Sequence, residues 1–189
     1  RNKDARADDD VKDSIHFHVD ESLRAGGAWT NSTDGWKYCY NDGYCARSKY
    51  VTIDGSTYYF NGDAVMATGW VTFDAAWHWM TPSGRMATGW TKVDGSWYYL
   101  DPATGAMATG WANVDGSWYY LNASGAMATG WTAVNGKWYY LTGNGAMAIG
   151  WVNDGGTWYY LDASGKMVTG WVSIDGTRYH FAPSGAWLG

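Results

Sequence analysis

Two tryptophans, a tyrosine and a methionine recur together along this chain, and that set of side chains points to one kind of chemistry. In one representative stretch they are Trp90, Trp97, Tyr99 and Met107. Aromatic faces attract cations through their quadrupoles, by about 0.5–2 kcal/mol per ring depending on desolvation. A quaternary ammonium has no N–H to donate to a carboxylate, so rings suit it, and Met adds a polarizable, adaptable wall. Leu or Val would fill a core with fewer polar edges, so the excess of Trp and Tyr reads as a binding surface. The competing reading is that every repeated aromatic is core. That reading is adopted for the face carrying Tyr98 and Leu100, because burying apolar area is what stabilises a stack.

The spacing shows how such groups come to be repeated. A Gly-Trp step recurs at Trp70, Trp90, Trp111, Trp131, Trp151 and Trp171, at intervals of 20 or 21 residues. Seven residues after each comes a second block, as in Trp97-Tyr98-Tyr99-Leu100 and Trp118-Tyr119-Tyr120-Leu121. A Met precedes each Gly-Trp: Met66, Met86, Met107, Met127, Met147 and Met167. Self-similarity at such a period marks a repeat architecture. Worn copies run backward through Tyr50 with Thr57-Tyr58-Tyr59-Phe60 and Trp29 with Trp36-Lys37-Tyr38. His16-Phe17-His18-Val19 has the spacing of a degraded half-repeat, so residues 1–28 read as a linker or degenerate half-repeat and residues 29–189 as the array.

Turn chemistry says what each unit is. Asp94-Gly95, Asp115-Gly116, Asn135-Gly136 and Asp175-Gly176 favour the two-residue type I′ hairpin turn. Their flanks are short and rich in Val, Thr, Trp and Tyr, as strands are. Alternation places Trp90, Trp97 and Tyr99 on one face and Val93, Tyr98 and Leu100 on the other. A lone hairpin is marginal in water. The expected fold is therefore all-β, a solenoid of about eight stacked β-hairpins with repeats of ~20 residues.

The unit from Gly89 through Leu100, closing on Met107-Ala108-Thr109-Gly110-Trp111, resembles the choline-binding repeat of Gram-positive surface proteins and phage or autolytic lysins. The resemblance is strong over residues 66–189 and weak over residues 29–65. It implies a left-handed solenoid of hairpins whose ligand is choline, displayed on teichoic acids. It also implies sites between consecutive hairpins, with two Trp from one and a Tyr plus an apolar residue from the next. Carried onto this chain, one site takes Trp70, Trp77, Tyr99 and Met107, and the next Trp90, Trp97, Tyr120 and Met127. A third takes Trp111, Trp118, Tyr140 and Met147, and a fourth Trp131, Trp138, Tyr160 and Met167. Weaker candidates are Trp29 and Trp36 with Tyr59 and Met66, where Asp34-Gly35 is displaced by one residue, and Trp151 and Trp158 with His180 and Trp187. The position at Tyr50 carries Thr57 where a Trp belongs and should be empty. Arg178 replaces the last block Trp, which makes that hairpin a cap without a cage.

Cys39 aligns with the block Leu and Cys45 with the Met, two side chains on either side of one bend. Their joint replacement points to a short-loop disulfide, with two small buried thiols as the alternative. A bridge would place the protein outside the cytoplasm. Net charge is −5 without a basic cluster, against the electrostatic footprint that nucleic acid requires. No apolar run approaches the ~20 residues of a membrane span. No signal peptide is visible and the chain opens at Arg1-Asn2-Lys3, as a fragment or processed form would. The carboxylates sit in turns or the N-terminal charge run, and no serine or histidine has a catalytic partner in view. No metal motif and no cofactor are expected either.

The function expected is a non-catalytic module that anchors a secreted, cell-surface protein to choline or phosphocholine on wall teichoic acid. The alternative is a carbohydrate-binding array of the glucan-binding or toxin type, whose rings stack on sugars. A third class is a spacer with idle pockets.

Overall fold

In a computed structural model the described residues are 24–189, and the half-repeat expected at His16–Val19 lies outside them. They form sixteen five-residue strands joined as eight antiparallel two-stranded sheets, with no helix among the described residues. The strands pair in chain order: β1 (Ala28–Ser32) with β2 (Gly35–Cys39), β3 (Lys49–Ile53) with β4 (Ser56–Phe60), and β5 (Gly69–Phe73) with β6 (Ala76–Met80). Then come β7 (Gly89–Val93) with β8 (Ser96–Leu100), β9 (Gly110–Val114) with β10 (Ser117–Leu121), and β11 (Gly130–Val134) with β12 (Lys137–Leu141). The last two pairs are β13 (Gly150–Asp154) with β14 (Thr157–Leu161) and β15 (Gly170–Ile174) with β16 (Thr177–Phe181). The described residues fall into two compact units, 24–89 with Leu100–Met107, and Trp90–Tyr99 with Ala108–Gly189. Each is a stack of hairpins, and the all-β repeat architecture read from the sequence is the one observed.

The turns are those the dipeptides dictate. Asp94 and Gly95 both have positive φ, as do Asp115-Gly116, Asn135-Gly136 and Asp175-Gly176, the conformation of a type I′ turn. In the β9–β10 hairpin Trp111 lies opposite Tyr120 and Asn113 opposite Trp118, so both tryptophans share one face. The β1–β2 hairpin departs, because its connecting residues are Thr33 and Asp34 while Gly35 pairs with Ser32 inside the ladder.

Seven of the eight hairpins bury the last residue of their second strand. Phe60, Met80, Leu100, Leu121, Leu141, Leu161 and Phe181 are all essentially inaccessible. That residue bridges to the Met of the following loop, as in Leu121 to Met127 and Leu141 to Met147. Cys39 and Cys45 occupy the same bridge and are joined as a disulfide. The bend between them is held by an Asx-type loop in which Asn122 Oδ1, for example, accepts the Ser124 and Ala126 N–H groups.

Hairpins join to one another through the same methionine. The Met127 N–H donates to the carbonyl of Trp97, one hairpin earlier, at 2.8 Å. Met147 does so to Trp118 and Met167 to Trp138, again at 2.8 Å. A two-stranded sheet has no other means of satisfying those edge groups except water, so the bond recurs wherever the hairpins stack.

One turn violates its own chemistry. Asp74-Ala75 adopts the same left-handed pair, with φ 51° and 59°, although Ala75 carries a Cβ and stands exposed. A left-handed non-glycine residue costs about 1–2 kcal/mol. Ala75→Gly should therefore stabilise the chain by about 1 kcal/mol, read as a higher urea midpoint at unchanged slope. A lower midpoint would mean that this turn is not type I′.

Candidate ligand-binding sites

The sites lie where one hairpin turns its tryptophan face toward the opposite face of the next. The clearest example in the second unit is a cavity of about 360 Å³ lined by Trp111, Trp118, Tyr139, Met147, Ala163 and Ser164. Trp111 and Trp118 come from β9 and β10, Tyr139 from β12 of the next hairpin, and Met147 from the loop beyond it. Ala163 and Ser164 come from the loop one hairpin further on, so three successive repeats build one cavity. Its size sits near the lower end of the ~300–1,000 Å³ common for small-molecule sites.

Ring geometry fixes the walls. Trp111 stands between Tyr120 of its own hairpin, centroids 5.1 Å apart, and Tyr139 of the next, 4.9 Å apart, both edge-on. Tyr139 is buried together with Val134 and Leu141. Trp118 forms the outer wall and remains 44% exposed. The other block tryptophans, Trp36, Trp77, Trp97, Trp138 and Trp158, are similarly open, at 40–48%. An open indole at the same position in six hairpins is a repeated surface feature that core packing does not explain.

The same arrangement recurs. Trp90 meets Tyr119 at 4.9 Å, Trp131 meets Tyr159 at 4.8 Å and Trp151 meets Tyr179 at 5.0 Å. In the first unit a cavity of about 380 Å³ is lined by Trp29, Trp36, Tyr58, Met66, Pro82 and Ser83. At Trp151 and Trp158, Trp187 replaces the methionine: it lies 5.7 Å from Trp151, and its N–H donates to the Trp158 carbonyl.

The tyrosine therefore differs by one position from the sequence expectation at five of the six sites. Tyr139 closes on Trp111 where Tyr140 was expected, Tyr119 stands in place of Tyr120 at Trp90, and Tyr159 in place of Tyr160 at Trp131. Tyr58 replaces Tyr59 at Trp29, and Tyr179 replaces His180 at Trp151. The physical reason is the stacking itself, since the next hairpin presents its opposite face, the one carrying the first tyrosine of the block. The second tyrosine instead buttresses the tryptophan of its own hairpin: Tyr99 on Trp90, Tyr120 on Trp111, Tyr140 on Trp131 and Tyr160 on Trp151, all at 5.0–5.2 Å. Tyr99 thus packs inside the second unit, while Trp70, Trp77 and Met107 belong to the first, where the Met107 N–H donates to the Trp77 carbonyl. His180 lies flat on Trp171 at 4.2 Å, away from Trp151 and Trp158. The alternation of faces was the signal for the first tyrosine; nothing local marks the roof residues Pro82, Ser83, Ala163 and Ser164.

Two positions are altered in instructive ways. Beside Tyr50, Phe73 takes the strand position occupied by Val or Ile in five other hairpins, and its ring stacks on His78 at 3.7 Å and on Tyr59 at 5.2 Å. It also lies 4.9 Å from Tyr50, whose hydroxyl donates to Asp74. At Trp171 the Arg178 guanidinium sits 4.8 Å from the ring centroid, an internal cation on the last tryptophan face.

A family model described as "Choline-binding repeat" matches residues 67–109, 108–150 and 148–188, and one described as "Putative cell wall binding repeat" matches residues 48–63. No curated protein matches the sequence significantly. Among solved structures the chain is similar to choline binding protein F from Streptococcus pneumoniae, solved in the presence of a tetrasaccharide-pentapeptide peptidoglycan analogue. Identity is 40%, coverage 81% of this chain and 55% of that one, and the TM-score 0.75. A complex of CbpF with ipratropium gives 34% identity, 87% and 60% coverage and a TM-score of 0.77. The choline-binding domain of CbpL from Streptococcus pneumoniae gives 30% identity, 87% coverage of both chains and a TM-score of 0.62. The chain thus spans a little over half of protein F and most of the CbpL domain.

Two outcomes test the geometry without ligand. Tyr139→Ala should cost about 3–5 kcal/mol, the loss of a buried ring, whereas Trp118→Ala at the open wall should cost far less. Equal losses in urea denaturation would contradict the division into wall and core. His78 is 2% exposed, and burial pushes its imidazole below the ordinary value, opposed only in part by the Ala76 and Thr104 backbone groups and Asp74. A lowered folded pKa means the neutral ring favours the fold. That stability is full above the unfolded value of ~6.5 and is lost as pH falls below it. The melting temperature should fall between pH 7.5 and pH 5, and less steeply in His78→Phe; equal slopes would place the acid sensitivity elsewhere.

Proposed function

The chain belongs to the choline-binding repeat family, and from that premise we propose that it is a non-catalytic anchor holding a secreted, surface-associated protein to choline-bearing teichoic acids of a bacterial wall. The observation that carries the reading is the cavity of Trp111, Trp118, Tyr139 and Met147: three π faces and a thioether with no charged side chain among its lining residues. Its walls offer a trimethylammonium group cation–π attraction and apolar contact, and ask for no hydrogen bond from it. Ipratropium, which CbpF holds in one of the similar structures, is itself a quaternary ammonium. The Cys39–Cys45 bridge supports a location outside the reducing cytoplasm.

One cage offers few contacts, so affinity for a single choline should be weak, and a surface bearing many cholines should be held through effective concentration. The folded protein should be retained on a quaternary-amine resin at moderate salt and elute with millimolar-scale choline. In calorimetric titration, Trp118→Ala should lose one choline site and keep the rest, because repeats contact mainly their neighbours. Passage through the resin unretained, or full stoichiometry in the variant, would defeat this reading.

A further inference from the structure

The cages differ in one respect that the repeat pattern conceals: at two of them a charged side chain is held against a cage tryptophan. The position before each turn's first residue is apolar in most hairpins, as Ile53, Val93, Val134 and Ile174, all buried. In β13 it is Asp154, exposed to solvent. Asp154 lies on the face that β13 and β14 turn toward the preceding hairpin, the face that also carries Tyr159. Its Oδ2 accepts the indole N–H of Trp131 at 3.0 Å, and Trp131 is the ring that meets Tyr159 in the next cage wall. The carboxylate is thus fastened to the edge of the Trp131–Trp138–Tyr159–Met167 cage. The ammonium of Lys166 next to Met167 is opposed by Asp162, whose carboxylate accepts the Lys166 backbone N–H. The Trp90–Trp97–Tyr119–Met127 cage carries the opposite sign: Lys92, cross-strand from Trp97, holds its ammonium 5.9 Å from that ring.

We infer that these charges grade the cages, with Asp154 making the Trp131 cage the preferred seat for an organic cation and Lys92 making the Trp90 cage a poorer one. The inference rests on the proposed choline reading and extends it from one ligand class to an order of filling. The effect at Trp131 is electrostatic. A cation over the ring lies within about 10 Å of the carboxylate, where Coulomb attraction at a water-exposed rim amounts to a factor of about 3 in affinity. Asp154 does not touch the cation. It is a positioning and specificity residue, and its contribution should be screened by salt while the ring contribution is not.

The experiment is a choline chloride titration of the intact chain, followed through the indole N–H resonances of Trp131, Trp90 and Trp111 at constant ionic strength. Asp154→Asn keeps an acceptor for the indole and removes the charge; Lys92→Gln removes the competing cation. At about 0.1 M ionic strength Asp154→Asn should weaken choline at Trp131 about threefold and leave Trp111 unchanged, whereas Lys92→Gln should strengthen it at Trp90. At 1 M, where the screening length is about 3 Å, both differences should vanish. An unchanged Trp131 affinity in Asp154→Asn, or a loss that persists at 1 M, overturns the grading while the choline reading stands. No choline response at any indole of the unaltered chain overturns both. The melting temperature of each variant, expected within a degree or two of the parent, separates these outcomes from misfolding.

Discussion

The structure depends on the backbone N–H of each bend residue, a methionine at every junction but the last, where it is Trp187, donating to a carbonyl of the preceding hairpin. That carbonyl belongs to the block tryptophan or, for Met86, to Thr57. A two-stranded sheet of five-residue strands has no interior, and its outer edge groups are open to water. The bond ties the loop after one hairpin to the edge of the hairpin before it, and in doing so seats the buried Leu or Phe of each unit against its neighbour. Everything else follows from that spacing. The loop glycine must come so close that a Cβ on Gly145 would meet Met127 Sδ at 2.3 Å, and its φ of 91° admits no other residue without strain.

The cages are a by-product of that joint. Because the methionine closes one hairpin onto the tryptophan of another, Met66 and Met147 each line a cavity beside two indoles. The next hairpin's first tyrosine supplies the third wall, and the loop of a further hairpin forms the roof over Trp118, as over Trp36. A single repeat therefore cannot build such a cavity, which takes side chains from three successive repeats. Weak sites multiplied along a stack match a polymeric surface far better than a dissolved ligand.

At three other places a side chain of the chain itself lies on an aromatic face. Phe73 has its ring stacked between His78 and Tyr59. Arg178 sits on Trp171, and Arg24 sits over Tyr44 at 3.8 Å while pairing with Asp42. In the last two cases a guanidinium takes the place on an aromatic face that an organic cation takes in the proposed function. The disulfide plays a comparable part in the first described hairpin, substituting a covalent link for the Leu–Met contact at the bend.

By itself the sequence determined the repeat, the hairpins and the chemistry of the rings. Asp-Gly and Asn-Gly turns fix a two-residue connection, a two-residue connection fixes the register, and the register fixes which side chains share a face. That much is local, and it was legible at Trp111, Trp118 and Tyr120. Which tyrosine meets which tryptophan was not local. Tyr139 and Tyr140 are chemically the same and adjacent, and only the stacking of one hairpin's face on the opposite face of the next selects Tyr139. The roof at Ala163 and Ser164 and the carboxylate of Asp154 at Trp131 belong to residues 23 or more positions away from the rings they adjoin. Their placement is decided by the pitch of the stack, a property that no single repeat contains.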